Sequence, residues 1–150
     1  MSNKPINREA IYSALFAKLC TINGLATTSR KLRHWVDVPA AEQPALFVIQ
    51  KSETPQTTTG QPSAWRFDCD VYIYANTADE AAPSTKVNEL LDQLCNLINE
   101  VHPVTGRAVL PDCDDVHYCR INGTIQTDEG VLGDQAVCIV PITMLVAAGQ

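Results

Sequence analysis

The sequence predicts an α+β domain: a mainly antiparallel β-sheet of about five strands with two helices packed on one face. Three observations lead there. Residues 65–75 alternate strictly, with Trp65, Phe67, Cys69, Val71, Ile73 and Ala75 apolar and Arg66, Asp68, Asp70, Tyr72 and Tyr74 between them. Side chains alternate across a strand, so the first set can enter a core while the second faces outward. From residue 84 to residue 101, the apolar residues Val87, Leu90, Leu91, Leu94, Cys95, Ile98 and Val101 recur at three-and-four spacing, the mark of an amphipathic helix. Helices are missing between most of the strands, which argues against a doubly wound parallel sheet.

Taken in order, residues 1–6 read as a short arm, since Pro5 disfavours helix before it. Asn7 then caps a helix running to about Cys20, with Ile11, Tyr12, Leu15, Phe16 and Leu19 as its apolar stripe. Gly24 stands where a left-handed terminator is expected. Residues 27–36 are β-prone but rich in cations, and predict a strand with Leu32, His34 and Val36 on one face and Lys31, Arg33 and Trp35 on the other. Pro39 and Pro44 bracket an irregular connector. Residues 45–51 form a compact strand that should pair antiparallel with residues 65–75. The polar connection between them, residues 52–64, exceeds the usual hairpin loop of roughly 2–5 residues and is expected to be functional or mobile.

Thr77 and Glu80 match the capping-box spacing, and Pro83 suits a helix start. Pro103 and Gly106 end that helix. An acidic loop of Asp112, Cys113, Asp114 and Asp115 leads into a strand over residues 116–127, and residues 128–134 read as a hairpin connection. Residues 136–147 form a last strand, apolar on both faces, in which Pro141 suggests a bulge or an edge position.

At 150 residues the chain fits a single domain, residues 1–150, able to bury a core without staples. No apolar run approaches the length of a bilayer span and the N-terminus lacks a signal-peptide pattern, so a cytosolic site of synthesis is expected. The six cysteines include no CxxC pair, and four fall at apolar positions of predicted elements, so they read as reduced. Residues 1–66 carry eight bases and four acids, whereas residues 67–150 carry three bases and thirteen acids. Either the two halves offer opposite charge for head-to-tail self-association, or they interleave in the fold and the charges mix.

Catalytic chemistry finds little support. Cys113, His117 and Cys119, with aspartates alongside, are the nearest thing to a metal site, but C-x3-H-x-C is not a zinc-finger spacing. A solvated acidic loop followed by a strand with a packed thiol explains the same residues. No Walker loop, GxSxG, HExxH or GxGxxG is present, and no cysteine has an identifiable base, so neither an enzyme nor a cofactor is expected. The cluster Arg30, Lys31, Arg33, His34 and Trp35 raises nucleic-acid binding. The acidic pI near 4.9 argues against it, and an acidic protein surface would serve the cluster as well.

Several segments together resemble the tail terminator (tail-completion, minor tail protein) family of long-tailed bacteriophages. They are Thr28-Ser29-Arg30-Lys31-Leu32-Arg33-His34-Trp35-Val36-Asp37-Val38-Pro39 and Glu42-Gln43-Pro44-Ala45-Leu46-Phe47. Tyr72-Ile73-Tyr74-Ala75, Leu90-Leu91-Asp92-Gln93-Leu94 and the run from Asp128-Glu129-Gly130 to Pro141-Ile142 complete the set. The resemblance covers most of the chain. It implies a structural virion protein, assembled in the host cytoplasm and placed at the neck end of the tail. There it would form a homo-hexameric ring that stops tube polymerisation and docks the head. The implied partners are other copies of itself, the tail tube protein and the head–tail connector protein. No membrane and no direct nucleic-acid recognition are implied. Other ring components, a connector or the tube protein, would read much the same. On this basis Arg30, Lys31, Arg33, Trp35, Arg66, Asp68, Asp70, Tyr72 and Tyr74 are candidate interface residues, with Asp68, Asp70 or the acidic residues 112–115 as partners for the cations. Residues 52–64 are expected to order on contact with a neighbour. Within one subunit, the first strand or residues 136–147 could instead cover the tyrosines.

Overall fold

Asn7 begins the first helix as its side chain allows: Oδ1 accepts from the Ala10 N–H at 3.1 Å. The computed structural model describes residues 5–56, 64–77, 81–129 and 133–147. Helix α1 (Arg8–Leu19) buries Ile11, Tyr12, Leu15 and Leu19, and Gly24 follows with φ of 93°. The strands are β1 (Thr27–Ser29), β2 (Ala45–Gln56), β3 (Ala64–Asn76), β4 (Val116–Ile121), β5 (Gln126–Glu129) and β6 (Gln135–Ala147), with α2 (Pro83–Ile98) between β3 and β4. They form one sheet in the order β1-β2-β3-β6-β4, and β5 also pairs with β6. The class is α+β. The sheet is mixed, because β1 runs parallel to β2 while every other pairing is antiparallel.

The alternation of β3 is used as its sequence dictates. Phe67, Cys69, Val71, Ile73 and Ala75 enter one large apolar cluster with Ile11, Tyr12, Leu15 and Leu19 of α1 and Val87, Leu90, Leu94 and Ile98 of α2. The Tyr12 and Phe67 rings stack with centroids 5.7 Å apart. Each such large side chain, fully withdrawn from water, contributes about 1.5–3 kcal/mol, which is why this cluster fixes the register of the central strands. A second, smaller cluster of Val38, Ala45, Phe47 and Tyr74 uses the even-numbered side of β3.

Several expectations need correction. Residues 27–36 do not form one strand. Pairing stops at Ser29, whose Oγ accepts the Lys31 N–H, and His34 Nδ1 accepts the Val36 N–H at the start of a 3₁₀ turn, Trp35–Asp37. These local bonds compete with a ladder, and the turn lays Trp35 and Val38 against the second cluster. Residues 52–56 belong to β2, with Pro55 opposite Trp65, so the hairpin arms are longer than expected. The remainder of that connection, residues 57–63, lies outside the described residues.

The expected strand 116–127 is two strands, giving six in all. Gly123 turns the chain at φ of 124° between them, close to Pro141. Pro141 is therefore neither a bulge nor an edge residue. It sits in central β6 where β4 has ended and β5 has not begun, and its carbonyl accepts from the Asn122 N–H at 3.0 Å. Its nitrogen points to that same side, so the missing donor costs the β3–β6 ladder nothing.

Helix α2 starts at Pro83 after Ala82, not from a Thr77 cap; Thr77 Oγ1 instead donates to the Ala81 carbonyl. It ends at Ile98, leaving Val101 exposed in a bridge to Ala108.

Candidate assembly interface

The even-numbered face of β3 is flanked by its pairing partners, and the register decides which. Arg66, Asp68, Asp70, Tyr72 and Tyr74 stand opposite Leu145, Thr143, Pro141, Ile139 and Val137 of β6. On the other side they face Thr54, Ser52, Ile49, Phe47 and Ala45 of β2. The surface thus divides into a polar half around Asp68 and an apolar half around the tyrosines.

Asp68 is the hub of the polar half. Its carboxylate accepts from Thr143 Oγ1 at 2.6 Å, from Ser52 Oγ at 3.3 Å and from Arg66 Nε at 3.1 Å. Burial pushes the carboxyl up, but the Thr143 bond and then the Arg66 bond and charge outweigh it and hold the group below the usual carboxylate range. Asn122 Nδ2 donates to Thr143 Oγ1 at 3.2 Å, extending the network to the β4–β5 turn. Asp70 pairs with Lys51 at 3.4 Å, one of three ion pairs among the described residues, with Lys18–Glu100 and Arg66–Asp68, that join the basic and acidic halves of the chain. The charges interleave within the fold.

The apolar half is covered from within the chain. Tyr74 is buried, its hydroxyl donates to the Arg33 carbonyl at 2.8 Å, and its ring meets Phe47 at 5.4 Å. Tyr74 therefore offers no surface in the isolated chain, whereas Tyr72 stays half-buried beside Ile49 and Val137. The cover is the segment after β1, whose residues 33–36 belong to the run expected as the first strand, with Val137 of β6 beside it.

The cations of that segment are mostly engaged. Arg30 pairs with Glu9 of α1 and donates to Gln50 Oε1 at 3.2 Å, and Arg33 pairs with Glu42 at 3.3 Å. Lys31 is exposed and has no ion-pair partner among the described residues. Trp35 is half-buried, tilted against His34 at 5.5 Å, and forms one wall of a groove with Val137 and Ile139.

The structure brings Arg66, Asp68, Asp70, Tyr72 and Tyr74 onto one face and keeps Arg30 apart at the α1 side. Sequence reading missed Thr143, Ser52 and Asn122, whose roles depend on register across three strands. Among the described residues, no three His, Cys, Asp or Glu side chains converge as metal ligands. Cys113 and Cys119 are buried, and burial pushes the Cys119 thiol up to about 12, away from nucleophilic use.

No protein-family model and no curated protein matches this sequence. Among solved structures, a chain from the virion of a native gene transfer agent (GTA) particle aligns with 90% of this chain and 92% of its own length, at 10% identity and a TM-score of 0.53. A second solved chain aligns over 95% of this one and 96% of its own at 16% identity, with a TM-score of 0.46. The likeness to the virion chain is one of fold, and it runs nearly from end to end.

Proposed function

We propose that this protein is a virion structural protein that forms a homo-hexameric ring on the tail tube, ends tube polymerisation and gives the head–tail connector its docking surface. One observation carries the reading: a fold shared over 90% of the chain with a component of a phage-like particle, together with segments that resemble tail terminators. It would act at the neck end of the tail, without catalysis and without a cofactor. Tyr72 and Lys31 form the part of the candidate interface left for partners, because Arg30, Arg33, Tyr74, Arg66, Asp68 and Asp70 already have partners within the chain. The ion pairs of Arg30 and Arg33 also weigh against phosphate binding by the basic segment.

The experiment is localisation by electron microscopy of particles carrying an epitope-tagged copy of the chain. Gold at a single site per particle, where the tail meets the head, supports the reading. Gold along the whole tail would identify a tube protein instead and overturn it.

A further inference from the structure

Among the described residues four large hydrophobic side chains stand exposed, and they fall in two places. Leu32 and Val36 lie on the segment carrying Trp35, beside a groove of about 430 Å³ lined by Trp35, Gln126, Thr127, Asp128, Val137 and Ile139. Val101 and Val104 lie on the turn that follows α2, and Val104, at 86% exposure, is the most exposed of the four. That turn is firmly built. The His102 N–H donates to the Arg107 carbonyl, the Gly106 N–H donates to the His102 carbonyl, and His102 Nδ1 accepts from the N–H groups of Val104 and Thr105. An apolar side chain held outward by four hydrogen bonds is a projecting tip of fixed shape.

The two patches belong to opposite ends of the molecule. The groove adjoins β5, whose Glu129 meets the N-terminus of α2, while the tip follows the C-terminus of the same helix. Sixteen residues of helix separate them, about 24 Å at roughly 1.5 Å per residue. A tip at one end therefore cannot fill the groove at the other within one chain. Their charges are complementary as well. Asp128 on the groove rim and Lys31 on the segment that carries Trp35 have no ion-pair partner among the described residues; neither do Arg107 beside the tip or Asp112 and Asp114 on the adjoining turn. Arg107 reaches the Asp114 carbonyl at 3.4 Å, which leaves most of its guanidinium donors free.

We propose that a second copy of this chain docks head to tail on the first, with the Val104 tip of one copy in the Trp35–Val137–Ile139 groove of the next. Arg107 then meets Asp128, and Lys31 meets Asp112 or Asp114. The contact joins two different patches, so repeating it closes a ring or extends a filament. It rests on the patches themselves and holds whether or not the partner structure is a tail.

The test uses the full chain with Cys20→Ser, which removes the exposed native thiol. Val104→Cys and Gln126→Cys are made in separate copies, and a short bismaleimide is added to each alone and to their mixture at high protein concentration. The expected result is a linked dimer in the mixture only. Arg107→Glu in the first copy should cut the yield several-fold, and Asp128→Arg in the second should restore it. No link in the mixture, or equal links in either variant alone, overturns the proposal. A linked mixture from a protein that gold labelling places along the whole tail would sink the tail-terminator reading and leave this contact standing.

Discussion

The Glu129 carboxylate accepts a 2.6 Å hydrogen bond from the Ser84 N–H, so a residue of the short strand β5 caps the first turn of α2. Ala82, at the N-cap itself, makes no side-chain bond. The orphan donors and positive dipole end of the helix are met by an acid 45 residues downstream. Glu129→Ala should lower unfolding stability by about 1 kcal/mol, as loss of a helix cap does. Glu129→Gln keeps an acceptor and should cost less. Urea denaturation of the three proteins checks the order.

Tyr74 ties the cover segment to the sheet through one bond, from its hydroxyl to the Arg33 carbonyl. Tyr74→Phe keeps the ring against Phe47 and removes only that bond, at a cost of about 1 kcal/mol. Amide exchange should rise in residues 33–38 and stay unchanged in α1. Uniform acceleration across the chain would show that the bond does not hold this segment locally.

How much of this was legible follows from the range of the interactions. The apolar stripe of α2 and the alternation of β3 are local patterns that burial rewards directly, so Val87, Leu90, Leu94, Phe67, Val71 and Ile73 were found without error. The segment after Ser29 deceived because Leu32, His34 and Val36 alternate like a strand. The expected face of Leu32 and Val36 had no core to enter, and the Ser29 and His34 side chains took the backbone donors instead. The Glu129 cap and the Asp68–Thr143 bond join residues far apart in sequence, and no local pattern announces them. Tyr72 and Tyr74 were rightly placed on one face, but only the path of residues 30–44 decides that Tyr74 is covered.

Asp68 makes stability depend on acid. Its carboxyl is held below its ordinary value in the fold, so its contribution is fully present above the unfolded pKa of about 3.9 and is lost as pH falls through the folded value. Thr143→Val removes the 2.6 Å donor, and should cost about 1–2 kcal/mol at neutral pH. The difference from wild type should shrink as pH falls below about 4 and through the folded value, beneath which the carboxyl is protonated in both states. A difference that stays constant down to that pH would assign the cost to packing alone.

Thiol chemistry should follow burial. Cys20 is exposed and Cys95 half-buried, whereas burial pushes the thiols of Cys69, Cys119 and Cys138 up, Cys138 to about 11. Because the thiolate is the reacting species, a thiol reagent at mildly alkaline pH should modify Cys20 promptly and Cys95 slowly. The four buried thiols, Cys69, Cys113, Cys119 and Cys138, should react only on unfolding. Peptide mapping of the modified protein reads the order directly.

The central claim is that this chain ends a growing tail tube. It is tested most directly by measuring tail lengths in electron micrographs of particles made without it. The account predicts tails that run well beyond the normal length, with a broad distribution that narrows again when the wild-type chain is supplied in trans. Tails of normal length that lack heads would contradict it, and would point to a connector.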